Sequence, residues 1–283
     1  MSGRIGSWVV FTDLDGTLLD HSTYRWDAAQ SALDALRCFR IPLILVTSKT
    51  RAEVQPLLSR LGRREPFIVE NGGAIYLPAG YFPFRIRSAV PRGKGWLCVA
   101  MGTPRRRLLR ALAEAAQKAG VRVRGLAAMT AREIAERTGL SLAEARHAAR
   151  REFDEPFVIL DSDPNVPARL KRQLQHQGLA MTRGSRFFHT LGGNDKGEAV
   201  WKLAAWFYRA FGHAVWTVAL GDSPNDIPML RAVDAPLLVA RPGGRYDAET
   251  LAAVPRLQRA GGVGPVGWNR ALVRLLCGAG PSS

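Results

Sequence analysis

Two short acidic strings carry the side chains best suited to chemistry. Asp13 and Asp15 stand at i and i+2 in Asp13-Leu14-Asp15-Gly16-Thr17, and Asp222 and Asp226 enclose a turn in Gly221-Asp222-Ser223-Pro224-Asn225-Asp226. Carboxylates this close repel one another unless something compensates, and a hard divalent cation with oxygen ligands does so. Asp-Gly alone is an ordinary turn signal, and an acidic turn can simply cap a helix. The setting argues for more. Each string directly follows an apolar run, residues 8–12 and 215–220, of the kind that forms a strand buried on both faces of a parallel sheet. Open α/β sheets place their chemistry at the carboxyl ends of such strands.

Two further groups fall at element ends. Thr47 follows the apolar run 41–46, where its hydroxyl and nearby backbone amides can hold a phosphate oxygen. Lys196 opens a helical pattern after Asn194-Asp195, where a lysine standing alone reads as an ordinary helix-surface residue. A cation ~4 Å from an anion contributes about 4 kcal/mol at an intermediate dielectric, enough to offset the approach of an anionic substrate to an anionic site.

The elements that must position these groups alternate. Residues 24–39 have helical periodicity, 41–46 reads as a strand, and Thr50 with Glu53 forms a capping-box pattern ahead of Leu57, Leu58 and Leu61. Asn71-Gly72-Gly73 between 67–70 and 74–77 predicts a hairpin. This order predicts an α/β fold, a Rossmann-like core whose parallel sheet is flanked by helices. Between about 85 and 188 the character changes to a mixed α/β pattern, which predicts an inserted smaller domain, with core segments at 1–84 and 189–283. Residues 259–267 are glycine-rich and read as a loose connection before a last helix at 269–277.

Lys and Arg number 40 against 24 Asp and Glu, a formal charge of +16, which fits an anionic partner. Scattered basic residues favour a small phosphorylated substrate over nucleic acid; a catalytically silent nucleic-acid-binding protein is the contrasting reading, and it predicts steeply salt-dependent binding. Three separated cysteines, Cys38, Cys98 and Cys277, exclude a disulfide framework and suit a reducing compartment. No apolar run approaches the ~18 residues of a membrane span, so a cytoplasmic protein is expected. The sequence leaves the oligomeric state open.

The strings DLDGT, a strand ending in Thr47, Asp195-Lys196-Gly197 and GDSPND, in that order, resemble the four signatures of the haloacid dehalogenase superfamily, in its Cof-like class with a larger α/β cap. The strings TSKTRAEV, FIVENGGAIY, RREFDEPF and SRFFH are similar to the mannosyl-3-phosphoglycerate phosphatase branch. Relatives of this cap class usually read Thr-Gly-Arg where this chain has Thr47-Ser48-Lys49.

The resemblance implies a phosphoric monoester hydrolase that converts mannosyl-3-phosphoglycerate to mannosylglycerate, a compatible solute. A glucosyl ester stays open, since one epimeric hydroxyl leaves no legible trace. It implies Asp13 as nucleophile, Asp15 as general acid and base, and Lys196 between nucleophile and phosphate. Mg2+ would be held by Asp13, the Asp15 carbonyl and Asp222, with Asp226 orienting bound water. Thr47, Ser48 and Asn225 would cradle the phosphate. Arg151, Ser185 and Arg186 would face the substrate, although the arginines have an equal alternative in pairing with Glu152, Asp154 or Glu155. His189 reads as a satisfied core histidine.

Overall fold

In the computed structural model, residues 7–183 and 187–278 are described. The first segment runs β1 (Trp8–Thr12), α1 (Gln30–Cys38), β2 (Leu43–Val46), α2 (Arg51–Arg60), β3 (Phe67–Val69), β4 (Ala74–Pro78), β5 (Val90–Pro91) and β6 (Trp96–Ala100). The middle segment contains α3 (Arg105–Ala119), β7 (Val123–Gly125), α4 (Ala131–Thr138), α5 (Leu142–Ala148), β8 (Asp154–Ile159), α6 (Val166–His176), β9 (Ala180–Arg183) and β10 (Phe188–Leu191). The last has α7 (Lys196–Phe211), β11 (Trp216–Gly221), α8 (Ile227–Arg231), β12 (Ala235–Ala240), α9 (Ala248–Ala253), β13 (Gln258–Val263) and α10 (Gly264–Gly278).

Nine strands form one sheet in the order β13-β12-β11-β1-β2-β3-β4-β6-β5, and four form a second in the order β7-β8-β10-β9. β1 lies at the centre of the parallel part, flanked by β11 and β2. Every residue of β1 is buried, and its side chains alternate between two cores. Trp8 and Val10 join the face covered by α1, α2 and α10, while Val9 and Phe11 join the face covered by α7 and α8. That two-sided burial is why the strand reads as a continuous apolar run.

The change of sheet differs from the expected boundaries at 85 and 188. β5 and β6 extend the large sheet by antiparallel pairing onto β4, whereas β10 belongs to the small sheet. Residues 83–95 carry enough Pro, Gly and Arg to look like a linker, and the edge strand inside them is only two residues long and exposed.

The glycine-rich segment is ordered rather than loose. β13 pairs in parallel with β12, and α10 follows at once. A Cβ on Gly267 would come within 2.2 Å of the Gly262 carbonyl oxygen, and Gly261 has a φ of +79°, so these glycines permit a tight strand-to-helix reversal. α10 packs on α1, and its buried Trp268 donates to the Thr12 hydroxyl at 3.0 Å. The last helix thus braces the strand that delivers Asp13. No helix among the described residues is long and apolar enough to cross a membrane.

Candidate active site

β1 hands Asp13 to the sheet edge still in register, since its N–H donates to the Leu220 carbonyl at 2.9 Å. The chain then turns. Gly16 has a φ of +81°, and a Cβ there would stand 3.2 Å from Asp222 Oδ2. Thr12 is level with Leu45 on β2, so Thr47 leaves the same edge one residue beyond the level of Asp13.

Lys196 closes the site from the opposite side. It is the first residue of α7, whose N-cap Asp195 accepts from the Glu198 N–H. The side chain is 1% exposed, and its Nζ stands 2.7 Å from both Asp13 Oδ1 and Asp226 Oδ1. Burial opposes the ammonium charge, but the two carboxylates more than offset that and hold its pKa above the usual lysine range.

The acids divide into strut and ligand. Asp226 uses Oδ1 for Lys196 and Oδ2 for the Asp222 N–H at 3.0 Å, the Ser223 N–H at 3.2 Å and the Ser223 hydroxyl at 3.1 Å. Asp13 Oδ2 and Asp222 Oδ1 take no hydrogen bond among the described residues. Carboxylate oxygens of Asp13, Asp222 and Asp226 lie within 4.8 Å of one another. Burial pushes the Asp13 carboxyl well above its ordinary pKa, against the pull of Lys196. Burial, then Asp226, pushes Asp222 up to about 6. Two free hard oxygens that resist carrying charge together are the donor set a hard divalent cation fits.

Asp15 points elsewhere. Its Oδ2 pairs with Lys49 Nζ at 2.9 Å, while its Oδ1 is buried without a hydrogen-bond partner among the described residues. Asp15, Ser48 and Lys49 line a cavity of about 170 Å³ together with Arg151 and His189 from the small-sheet side. A second cavity, about 310 Å³, lies on the other side of Lys196 and is lined by Asn71, Asn194 and Asn225 among others.

The remaining sequence candidates fall into three groups. The Thr47 hydroxyl accepts from the Lys49 N–H at 3.1 Å, and Asn225 donates to Asn71 Oδ1 at 3.0 Å. Arg151 Nη1 donates to Asp154 Oδ2 at 2.7 Å and to the Ser48 carbonyl at 3.0 Å, and His189 Nδ1 stands 2.8 Å from the same Asp154 oxygen. Arg151 therefore takes the internal alternative, with Asp154 as its partner. Ser185 and Arg186 lie outside the described residues.

Sequence reasoning gave Lys49 and Glu70 no role at the site and read Asn71 only as a turn residue. Glu70 is buried at the turn after β3, where it accepts the N–H groups of Glu152 and Phe153 at 3.0 and 2.7 Å. Burial pushes its carboxyl up to about 7. Glu70 and Asn71 both adopt positive φ, and a Cβ on Gly72 would come within 2.0 Å of the Asp195 carbonyl oxygen. The hairpin turn is thus a packing piece between the start of α7 and the segment that leads from Arg151 into β8. The cluster Glu70-Asn71-Gly72-Gly73 was its only trace in sequence.

A haloacid dehalogenase-like hydrolase family matches residues 10–82. The fold resembles a solved HAD subclass IIB sugar phosphatase, with a TM-score of 0.58 and 18% identity over 95% of this chain and 97% of that one. The glucosyl-3-phosphoglycerate/mannosyl-3-phosphoglycerate phosphatase of Persephonella marina is 38% identical over 95% of this chain and 97% of its own length. The enzyme of the same name from Methanococcoides burtonii is 42% identical over 95% and 97%. At that identity over such coverage, the chain belongs to the glucosyl-3-phosphoglycerate/mannosyl-3-phosphoglycerate phosphatase family of haloacid dehalogenase-like hydrolases.

Proposed function

We propose that this chain is a magnesium-dependent phosphatase that releases phosphate from mannosyl-3-phosphoglycerate and its glucosyl counterpart. The observation that carries the reading is the buried Lys196, whose Nζ lies 2.7 Å from both Asp13 and Asp226 at the edge where Asp15 also emerges. A fully buried lysine tied to two acids is a costly arrangement for stability alone, and one suited to holding a nucleophile beside an anionic phosphate.

Asp13 attacks phosphorus in line and takes the phosphoryl group as an aspartyl phosphate, which splits a difficult hydrolysis into two steps. Lys196 keeps Asp13 oriented and offsets the charge that the phosphate brings. Asp15 donates a proton to the departing glycerate oxygen, then removes one from the water that attacks the phosphoenzyme. Its buried Oδ1, which takes no hydrogen bond among the described residues, is the oxygen suited to that exchange. Asp13 Oδ2, the Asp15 carbonyl and Asp222 would hold Mg2+, with Asp226 fixing the loop behind them. When bound, the ion supplies positive charge for phosphate and carboxylates together.

The acid must reach the ester oxygen, so the leaving group extends past Asp15 into the cavity between the sheets. At about 170 Å³ that cavity is smaller than the ~300 Å³ at which ligand pockets usually begin. The small-sheet domain therefore acts as a cap that opens for substrate. Small-angle scattering profiles should differ with and without a bound phosphate analogue, and identical profiles would contradict this motion.

The deciding experiment is phosphate release from mannosyl-3-phosphoglycerate, glucosyl-3-phosphoglycerate, 3-phosphoglycerate and mannose 6-phosphate, each with magnesium and with chelator. Magnesium-dependent turnover favouring the two glycosyl esters is expected. Turnover of the other esters alone would keep the chemistry and discard the substrate.

A further inference from the structure

Two cations, Arg151 and Lys49, stand with the His189 ring in the cavity wall that the leaving group meets. The Arg151 charge is already paired with Asp154, and its Nη1 also donates to the Ser48 carbonyl, while its buried Nε has no hydrogen-bond partner among the described residues. Lys49 is differently placed. Its side chain is 16% exposed, and among the described residues its only ion-pair partner is Asp15. Glu53 and Glu144 lie near enough to interact electrostatically with it. Both are occupied as capping-box partners, Glu53 to Thr50 and Glu144 to Ser141. The ammonium has three N–H donors and one close anion, itself a group that has to exchange a proton with the substrate.

Tyr24 adds a second observation. The Lys49 Nζ lies 5.2 Å from the centre of its ring. Tyr24 adopts a φ of 55°, a left-handed conformation that an aromatic residue seldom takes. The turn that imposes it is fastened by Asp20, whose Oδ1 accepts from the Ser22 and Thr23 N–H groups at 3.1 and 2.8 Å. Backbone strain is thus spent on placing a ring beneath a cation at the cavity wall, which fixes the ammonium without neutralising it.

We propose that Lys49 is the specificity-determining residue that pairs with the carboxylate of the glycerate ester. Asp15 occupies Lys49 in the substrate-free protein, and the substrate carboxylate takes its place, leaving Asp15 to serve the ester oxygen. The inference rests on the proposed glycerate-ester activity. It also gives a reason for lysine in Thr47-Ser48-Lys49: a compact ammonium can turn from one carboxylate to another, whereas a guanidinium favours one planar fork.

The test compares kcat/KM for mannosyl-3-phosphoglycerate with that for the mannosylglycerol phosphate in which a hydroxymethyl group replaces the carboxylate. The wild type should prefer the carboxylate ester by about 10- to 100-fold, mainly through KM, as expected for a charge-assisted hydrogen bond. In Lys49→Gln this ratio should fall toward one, whatever loss the two esters share, and Lys49→Arg should restore part of it. A ratio unchanged in Lys49→Gln would overturn the proposal, because Lys49 would then serve phosphate or Asp15 alone. Should that variant not fold, Tyr24→Leu must lower the ratio several-fold, and an unchanged ratio there has the same force. A wild type that cleaves both esters equally overturns this inference alone, whereas one that cleaves neither overturns the proposed function.

Discussion

Charged side chains meet in two buried places, and they are arranged differently. At the core edge, Asp13 and Asp226 hold the buried Lys196 and Asp222 stands 3.4 Å from the partly exposed Arg241, three acids to two cations, with oxygens left over. In the small-sheet wall, Arg151 and His189 converge on Asp154, and Arg105 pairs with Glu155. The first group is short of positive charge; in the second Arg151 and Arg105 each have a carboxylate partner, although Arg151 Nε and Asp154 Oδ1 take no hydrogen bond among the described residues. Burial raises the Asp13 carboxyl, whereas His189 and Arg151 overcome burial to lower that of Asp154. An arrangement with more acid than base is where an ion and a phosphate fit; one whose charges are paired within the protein holds a wall in place.

The contrast can be broken most directly at Asp13. Asp13→Asn should abolish turnover, by more than about 1000-fold in kcat, because the amide is no nucleophile. Steady-state phosphate release reads this, and residual turnover near the wild-type level would place the chemistry elsewhere.

Lys196→Met comes next. It leaves Asp13 and Asp226 buried without their shared cation, so it should cost about 3–5 kcal/mol in denaturant unfolding as well as activity. If stability is unchanged, the core edge is less charged than the geometry requires.

Glu70 sharpens the comparison through pH. Its folded pKa is raised from 4.5 to about 7, so the folded protein binds this proton more tightly than the unfolded chain. The contribution is therefore full below about 4.5 and is lost as pH rises through about 7. Wild-type stability should fall relative to Glu70→Gln by roughly 3 kcal/mol across that window. Parallel stability curves for the two proteins between pH 5 and pH 8 would count against it.

The smallest effect is expected at Arg151. Arg151→Met should cost about 2 kcal/mol of stability through the loss of its bond to Asp154, and lower kcat/KM by less than about tenfold below the melting temperature. A larger rise in KM confined to the glycerate esters would return Arg151 to the substrate.

The same contrast explains what could be read from the sequence. β1 and β11 are buried on both faces, so they appear as apolar runs, and the acids at their ends sit at fixed spacing in DLDGT and GDSPND. Lys196 was legible only through the string Asp195-Lys196-Gly197, since by itself it reads as an ordinary helix-surface lysine. The wall was harder. An arginine such as Arg151 looks the same whether it meets a substrate or an Asp154 three residues away, and only the fold decides. Lys49 reads as a helix-proximal lysine until Tyr24, far back in sequence, is brought against it. β9 offers only Ala180-Met181-Thr182-Arg183, too short and mixed for a period to show, and β13 was hidden by glycines that serve close approach.

The central claim, that Asp13 carries the phosphoryl group, is tested most directly by acid-quenching a single turnover of the magnesium-loaded protein with mannosyl-3-phosphoglycerate and measuring the mass of the peptide that contains Asp13. The account predicts one transient phosphoryl group on that peptide, absent in Asp13→Asn and decaying as free phosphate appears. Release of phosphate with no phosphorylated protein at any time, and with turnover retained in Asp13→Asn, would contradict it.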